Sequence, residues 1–67
     1  MQPPKVFHWI ITLQGGSAGP RTFEGTVLVE SDETRQEIYR RVVASTSEES
    51  GIDEPVVTFF LLESNQL

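Results

Sequence analysis

Two stretches in the first half of the chain alternate between apolar and polar side chains. Residues 6–14 are rich in β-branched and aromatic residues, and an extended strand would place on one side Phe7, Trp9, Ile11 and Leu13. Residues 22–30 repeat the pattern, with one side made of Phe23, Gly25, Val27 and Val29. Between them, residues 15–20 hold three glycines and a proline, which interrupt regular structure. The pattern predicts an antiparallel β-hairpin.

The register of this hairpin must place both apolar rows on the same face of the sheet, because a shift of one residue would turn a row to the other side. Two registers meet this condition. One pairs Trp9 with Gly25, and the other pairs Trp9 with Val27. We favour the first, since the indole ring can cover the missing side chain of the glycine.

A helix is predicted after the hairpin. Thr34 and Glu37 have the spacing of a capping box, in which the threonine hydroxyl accepts a hydrogen bond from the N–H of Glu37. One apolar stripe follows at helical spacing, formed by Ile38, Tyr39, Val42 and Val43. The stripe stops after Ala44, whereas Gly51 is a natural C-cap. We therefore expect about three turns, with an end anywhere between these two residues.

Residues 56–63 predict a last strand that is apolar on both faces. Strict alternation places Val57, Phe59 and Leu61 on one side, and Val56, Phe60 and Leu62 on the other. A crossover through the helix makes this strand parallel to the second one. The more apolar first strand suits the centre of the sheet, and the second strand, with its glutamates, suits an edge.

These elements predict an α+β fold of order ββαβ, with a mainly antiparallel three-stranded sheet of order 2-1-3 and one helix on one face. The domain would span residues 6–63, after a disordered or extended lead over residues 1–5 and before a frayed end over residues 64–67. The predicted core consists of Phe7, Trp9, Ile11, Leu13, Phe23, Val27, Val29, Ile38, Val42, Val57, Phe59 and Leu61.

The succession of hairpin, acidic turn, helix, loop and apolar strand resembles the first half of a ubiquitin-like β-grasp domain. It is reminiscent of a truncated β-grasp in element order, with no diagnostic motif and without the later strands. The chain ends Asn65-Gln66-Leu67 and has no terminal Gly-Gly pair. Conjugation as a modifier is therefore not expected.

Composition narrows the function classes. The chain has 67 residues, with ten acidic and five basic side chains and a formal net charge of −5. A domain of this size buries only about 60% of its unfolded surface, so its stability is marginal. Cysteine is absent and there is one histidine, which excludes disulfides, thiolate metal sites and multi-histidine sites within one chain. We expect no metal and no cofactor, and a partner chain remains as the stabilising element.

Sequence features also bear on where the protein is located and on whether it is an enzyme. The longest apolar run, residues 59–62, is far too short for a membrane span, and the first residues lack the features of a signal peptide. A cytoplasmic protein without membrane contact is expected. His8 has neither a cysteine nor a recognisable nucleophile and orienting acid beside it in the sequence, so we do not expect an enzyme.

Nucleic-acid binding is the alternative class. Arg35, Arg40 and Arg41 could form a phosphate-binding face, or the acidic surface could mimic nucleic acid and inhibit a protein that binds it. Five cations against ten anions disfavour direct binding to nucleic acid, because affinity grows with the number of phosphates neutralised.

A protein–protein interaction module is the function that we expect. One helix covers one side of a sheet, so apolar side chains remain on the other side, and such patches mark interfaces. The predicted interface comprises Val6, His8, Ile10, Leu28, Val56, Thr58, Phe60 and Leu62. We expect a homodimer, formed either through this face or by antiparallel pairing of third strands, with a heterologous protein as the alternative partner. An unpaired, protonated His8 in such an interface should loosen the dimer.

Overall fold

The computed structural model describes residues 3–67 and contains four elements, β1 (Lys5–Gly15), β2 (Ala18–Val29), α1 (Arg35–Ser50) and β3 (Val56–Ser64). The sheet has the order β2-β1-β3, and β1 is antiparallel to both of its neighbours. This confirms the predicted α+β fold, its ββαβ order and its 2-1-3 sheet. Positions 1 and 2 of the predicted lead lie outside the described residues.

The hairpin has the favoured register, with Trp9 opposite Gly25. Its strands extend further than predicted, however. β1 continues to Gly15 and β2 begins at Ala18, so the connecting turn is reduced to two residues. Gly16 adopts a left-handed conformation with φ of 57°, which glycine tolerates without steric cost. The expectation that residues 15–20 interrupt regular structure is therefore wrong at both ends of that segment.

The helix begins as predicted and ends at the later of the two limits. The hydroxyl of Thr34 accepts from the N–H of Glu37 at 3.2 Å and donates to the Glu37 carboxylate at 3.1 Å. At the other end, the N–H of Gly51 donates to the carbonyl of Ser47 at 3.0 Å, with φ of 74° at the glycine. The 16 residues of α1 make more than four turns, longer than the three that were expected.

The core lies between α1 and the side of β1 that carries the predicted apolar row. Its buried residues are Ile11, Leu13, Ile38, Val42 and Ile52. Trp9 and Phe23 are among the half-buried residues that pack against this cluster. Phe7, also predicted for the core, lies outside this cluster: it is half-buried and lines a cleft at the start of α1.

Ile52 is a buried residue that is absent from the predicted core. The hydroxyl of Ser47 donates to the carbonyl of Ile52 at 2.7 Å, which holds the chain against the last turn of α1. The last turns of the helix also bury Thr46, whose hydroxyl donates to the carbonyl of Val42 at 2.8 Å. A polar side chain satisfied by its own helix thus continues the buried stripe beyond Ala44.

β3 departs from the predicted alternation at a bulge. Thr12 pairs with Phe59, but its neighbour Leu13 pairs with Val57, so Thr58 is an extra residue in β3. Because side chains alternate with period two, the extra residue reverses the faces of everything that follows it.

The bulge corrects four assignments. Beyond it, Phe60 and Leu62 pair with Ile11 and Trp9 and pack against the core. Phe59 and Leu61 face the side away from α1. The predicted core positions of Phe59 and Leu61 are therefore wrong, and so is the placement of Phe60 and Leu62 on the side without the helix. Val57 keeps its predicted position, because it precedes the extra residue.

Candidate functional site

The side of the sheet opposite α1, called here the helix-free face, is the candidate site. The register places on it Val6, His8, Ile10, Thr12 and Gln14 of β1, Thr22, Glu24, Thr26 and Leu28 of β2, and Val56, Phe59, Leu61 and Glu63 of β3. The one helix of residues 3–67 packs on the other side.

Large apolar side chains are exposed on this face. Among the described residues, five large hydrophobic residues are exposed, and four of them belong to it: Val6 at 41%, Leu28 at 59%, Val56 at 55% and Phe59 at 51%. The fifth, Leu67, is at the end of the chain. Ile10 and Leu61 are half-buried between them and pair across β1 and β3. The face therefore carries a contiguous apolar strip along β1 and β3, with a second apolar pair, Val6 and Leu28, at one end.

Polar groups on the helix-free face bond to one another. The hydroxyls of Thr12 and Thr22 are 2.9 Å apart, across β1 and β2. Nε2 of His8 is 2.8 Å from Oε1 of Glu24. On the other side of His8, its register partner in β3 is Glu63. These three are the ionisable side chains that the strands place on this face, and none of them is a lysine or an arginine.

The structure brings together five of the eight predicted interface residues, and these are Val6, His8, Ile10, Leu28 and Val56. Thr58 lies at the bulge, where its hydroxyl donates to the carbonyl of Thr12 at 3.4 Å. Phe60 and Leu62 lie on the helix side, and Phe59 and Leu61 take their places. The sequence carries no signal for this exchange, because residues 59–62 are all apolar and fit either face.

The exposed edge of β3 is the other predicted dimer contact. This edge is less suitable for strand pairing than an unbroken strand would be. The bulge at Thr58 interrupts the row of free backbone groups, and bulges are a common protection of sheet edges. Beside it, Phe60 is flanked by two side chains of α1. The Arg35 guanidinium lies 5.1 Å from the centroid of its ring, and the ring of Tyr39 packs edge-on at 5.0 Å.

The edge of β2 is also occupied at one point. Arg41 donates from Nη2 to the carbonyl of Leu28 at 3.0 Å, and its Nη1 lies 3.3 Å from a carboxylate oxygen of Glu33. This side chain ties α1 to the end of β2. Neither edge therefore offers an uninterrupted template along its whole length.

A small apolar cleft lies at the start of α1. It has a volume of about 220 Å³ and is lined mainly by apolar side chains, including Phe7, Val29, Ile38 and Leu62. Small-molecule sites occupy about 300–1,000 Å³. This cleft is thus below the usual size of a small-molecule site.

His8 is the histidine of the part of the chain that the structure describes. His8 has one side-chain hydrogen-bond partner there, Glu24, and no hydroxyl group bonded to its ring. No cluster of three or more histidine and acidic side chains lies close enough to hold a metal ion within residues 3–67. None of the helices formed by these residues has the length and apolar character needed to cross a membrane.

Comparison with known proteins finds no matching family model, no matching curated protein and no matching solved structure.

Proposed function

We propose that the protein is a non-enzymatic protein–protein interaction module, and that two copies of the chain form a homodimer by packing their helix-free faces together. The observation that carries the proposal is the clustering of exposed apolar side chains on that face, with Leu28, Val56 and Phe59 each more than half exposed. Contiguous apolar patches of this kind mark interaction sites on small proteins.

The overall dimensions support an uncovered face. The principal extents are 45 × 22 × 17 Å, and the Cα radius of gyration is 12.7 Å, against about 11 Å for a compact domain of this length. The accessible surface is 4942 Å², whereas a compact monomer of this mass exposes about 4,200 Å². A flat two-layer shape with one uncovered side of the sheet is consistent with this excess.

A second copy of the chain suits this face for two reasons. First, the chain is small and marginally stable, and burial of the same patch on both copies adds apolar contact that one copy cannot supply. Second, a two-fold axis through the apolar strip would pack the strip of one copy on the same strip of the other through reciprocal contacts, as in an isologous interface.

The expected affinity follows from the area. Three strands about 4.8 Å apart, with about nine residues each at 3.3 Å, make a face of about 400 Å². A dimer would therefore bury about 800–900 Å² in total, well below the ~1,600 Å² of a standard interface. We expect a weak, reversible dimer with a dissociation constant in the micromolar range.

The nucleic-acid alternative is weakened by the positions of the arginines. Arg35 lies over the ring of Phe60, and Arg41 is engaged by Glu33 and the Leu28 carbonyl. The face with the exposed apolar side chains carries two glutamates and neither lysine nor arginine, so it would repel phosphates.

Sedimentation equilibrium over a micromolar concentration series tests the proposal with two matched variants. Leu28→Thr removes an exposed leucine from the helix-free face and places in β2 a β-branched residue, which suits a strand. Leu67→Thr makes the same chemical change at an exposed position outside the sheet. We expect the unmodified chain and Leu67→Thr to dimerise alike, and Leu28→Thr to have a dissociation constant about fivefold to tenfold higher, because about 1 kcal/mol of apolar burial is lost.

Two results would contradict this proposal. One is a 7.5 kDa monomer at every concentration for the unmodified chain. The other is a dimer that Leu28→Thr and Leu67→Thr leave equally unchanged, which would move the interface away from the helix-free face. Circular dichroism of each variant checks that the fold is retained.

A further inference from the structure

His8 lies at a junction within the helix-free face. On one side of it are Val6 and Leu28, and on the other is the apolar strip that begins with Ile10. Glu24 of β2 is bonded to its ring at 2.8 Å, and Glu63 of β3 is its register partner. No other charged side chain of the two neighbouring strands shares this face, and α1 lies on the opposite side of the sheet.

We propose that His8 makes the homodimer sensitive to pH, so that acidification tightens it. This inference rests on the proposed function, since it assumes that the helix-free faces meet. The proton is taken up by the imidazole that is bonded to Glu24, with Glu63 at the neighbouring register position of β3. The dimer is the state that favours the protonated form.

Acidification should tighten the dimer because of the charges that the interface must bury. With a neutral imidazole, each face carries the two negative charges of Glu24 and Glu63. When His8 is protonated, it neutralises one of them through a bond that already exists. Burial of an unpaired carboxylate is costly, and repulsion between the two faces adds to the cost. Protonation reduces both effects, and histidine is the side chain suited to this change between pH 8 and 5.

From the sequence alone, protonation of His8 is expected to loosen the dimer, because an imidazolium that enters an apolar interface without a partner would destabilise it. The structure supplies the partner. Glu24 is two residues from the register partner of His8, at the diagonal position of an antiparallel pair, where long side chains still meet.

Sedimentation equilibrium at pH 8.0 and at pH 5.5 measures the effect, and two variants assign it. The unmodified chain should show a dissociation constant about tenfold lower at pH 5.5, within the limit of about tenfold per pH unit for each proton taken up. His8→Gln keeps a polar side chain and should lose most of this dependence. The double variant Glu24→Gln, Glu63→Gln should reverse it, because the imidazolium then has no acidic partner.

The outcomes separate this inference from the proposed function. A dimer whose dissociation constant is the same at both pH values, or rises on acidification, overturns the role of His8 and leaves the dimer itself in place. An unchanged pH dependence in His8→Gln also overturns it, since another group would then be responsible. A monomer at both pH values overturns both proposals. Circular dichroism at each pH confirms that the variants being compared are folded.

Discussion

Replacement of Gly25 by alanine probes the packing of the hairpin more sharply than any other single change. A Cβ atom at this position would lie 2.7 Å from Cζ2 and 3.1 Å from Cε2 of Trp9, inside the normal contact distance of about 3.5 Å. Both atoms belong to a rigid ring that packs against the core, so the overlap is relieved only if the indole shifts.

The magnitude follows from two opposing effects. Overpacking of this kind costs about 1–3 kcal/mol. Alanine in place of glycine in a strand returns about 0.5–1 kcal/mol, because the unfolded chain loses conformational freedom. We expect Gly25→Ala to lower the free energy of unfolding by about 1–2 kcal/mol, a large share of the ~3–10 kcal/mol available to a chain of this length.

Urea unfolding followed by circular dichroism measures the change, and the chain offers a matched control. At Gly19 a Cβ would meet nothing within 4 Å, so Gly19→Ala should be neutral or slightly stabilising. In a Trp9→Phe background, where the large ring is gone, Gly25→Ala should lose its penalty. Equal effects of the two alanine variants in the unmodified chain would refute the contact between Trp9 and Gly25.

Two further predictions concern β3 and the end of the helix. In dilute solution, where the chain is monomeric, Phe60→Ala should cost about 2–3 kcal/mol in urea unfolding and Phe59→Ala less than 1 kcal/mol, because only Phe60 packs against the core; equal costs would contradict the bulge. Gly51→Ala should cost about 1 kcal/mol, because φ at this residue is 74°; an unchanged free energy of unfolding would show that the left-handed cap is absent.

The parts of the fold that could be predicted are those determined by local patterns. The alternation in residues 6–14 and 22–30 predicts the hairpin, and the need to bury both apolar rows restricts its register to two choices. The start of α1 follows from the spacing of Thr34 and Glu37, which needs no information from distant parts of the chain.

The face assignments in β3 could not be predicted, because a strand that is apolar on both sides fits the core in either orientation. One extra residue at Thr58 exchanges Phe59 with Phe60, and the choice depends on how β3 pairs with β1. The same limit applies to Ile52, which is buried because Ser47 and the C-cap turn the chain back onto the core. These contacts join parts of the chain that no local pattern connects.

Part of the candidate site could be predicted, because local alternation along a strand assigns its side chains to one face or the other. β1 and β2 have clear alternation, so Val6, His8, Ile10 and Leu28 were assigned to the correct face. The bond between His8 and Glu24 was not predictable, since it depends on register and on a diagonal approach of two side chains. That bond changes the expected response to pH from loosening to tightening.

An isotope-filtered nuclear Overhauser measurement on an equal mixture of labelled and unlabelled chains tests most directly whether two helix-free faces meet. A dimer formed through the helix-free faces should give intermolecular contacts among the methyl groups of Ile10, Leu28 and Leu61 and the ring of Phe59, with none from Ile38 on the helix. Intermolecular contacts from α1, or no intermolecular contacts at concentrations well above the dissociation constant, would contradict it.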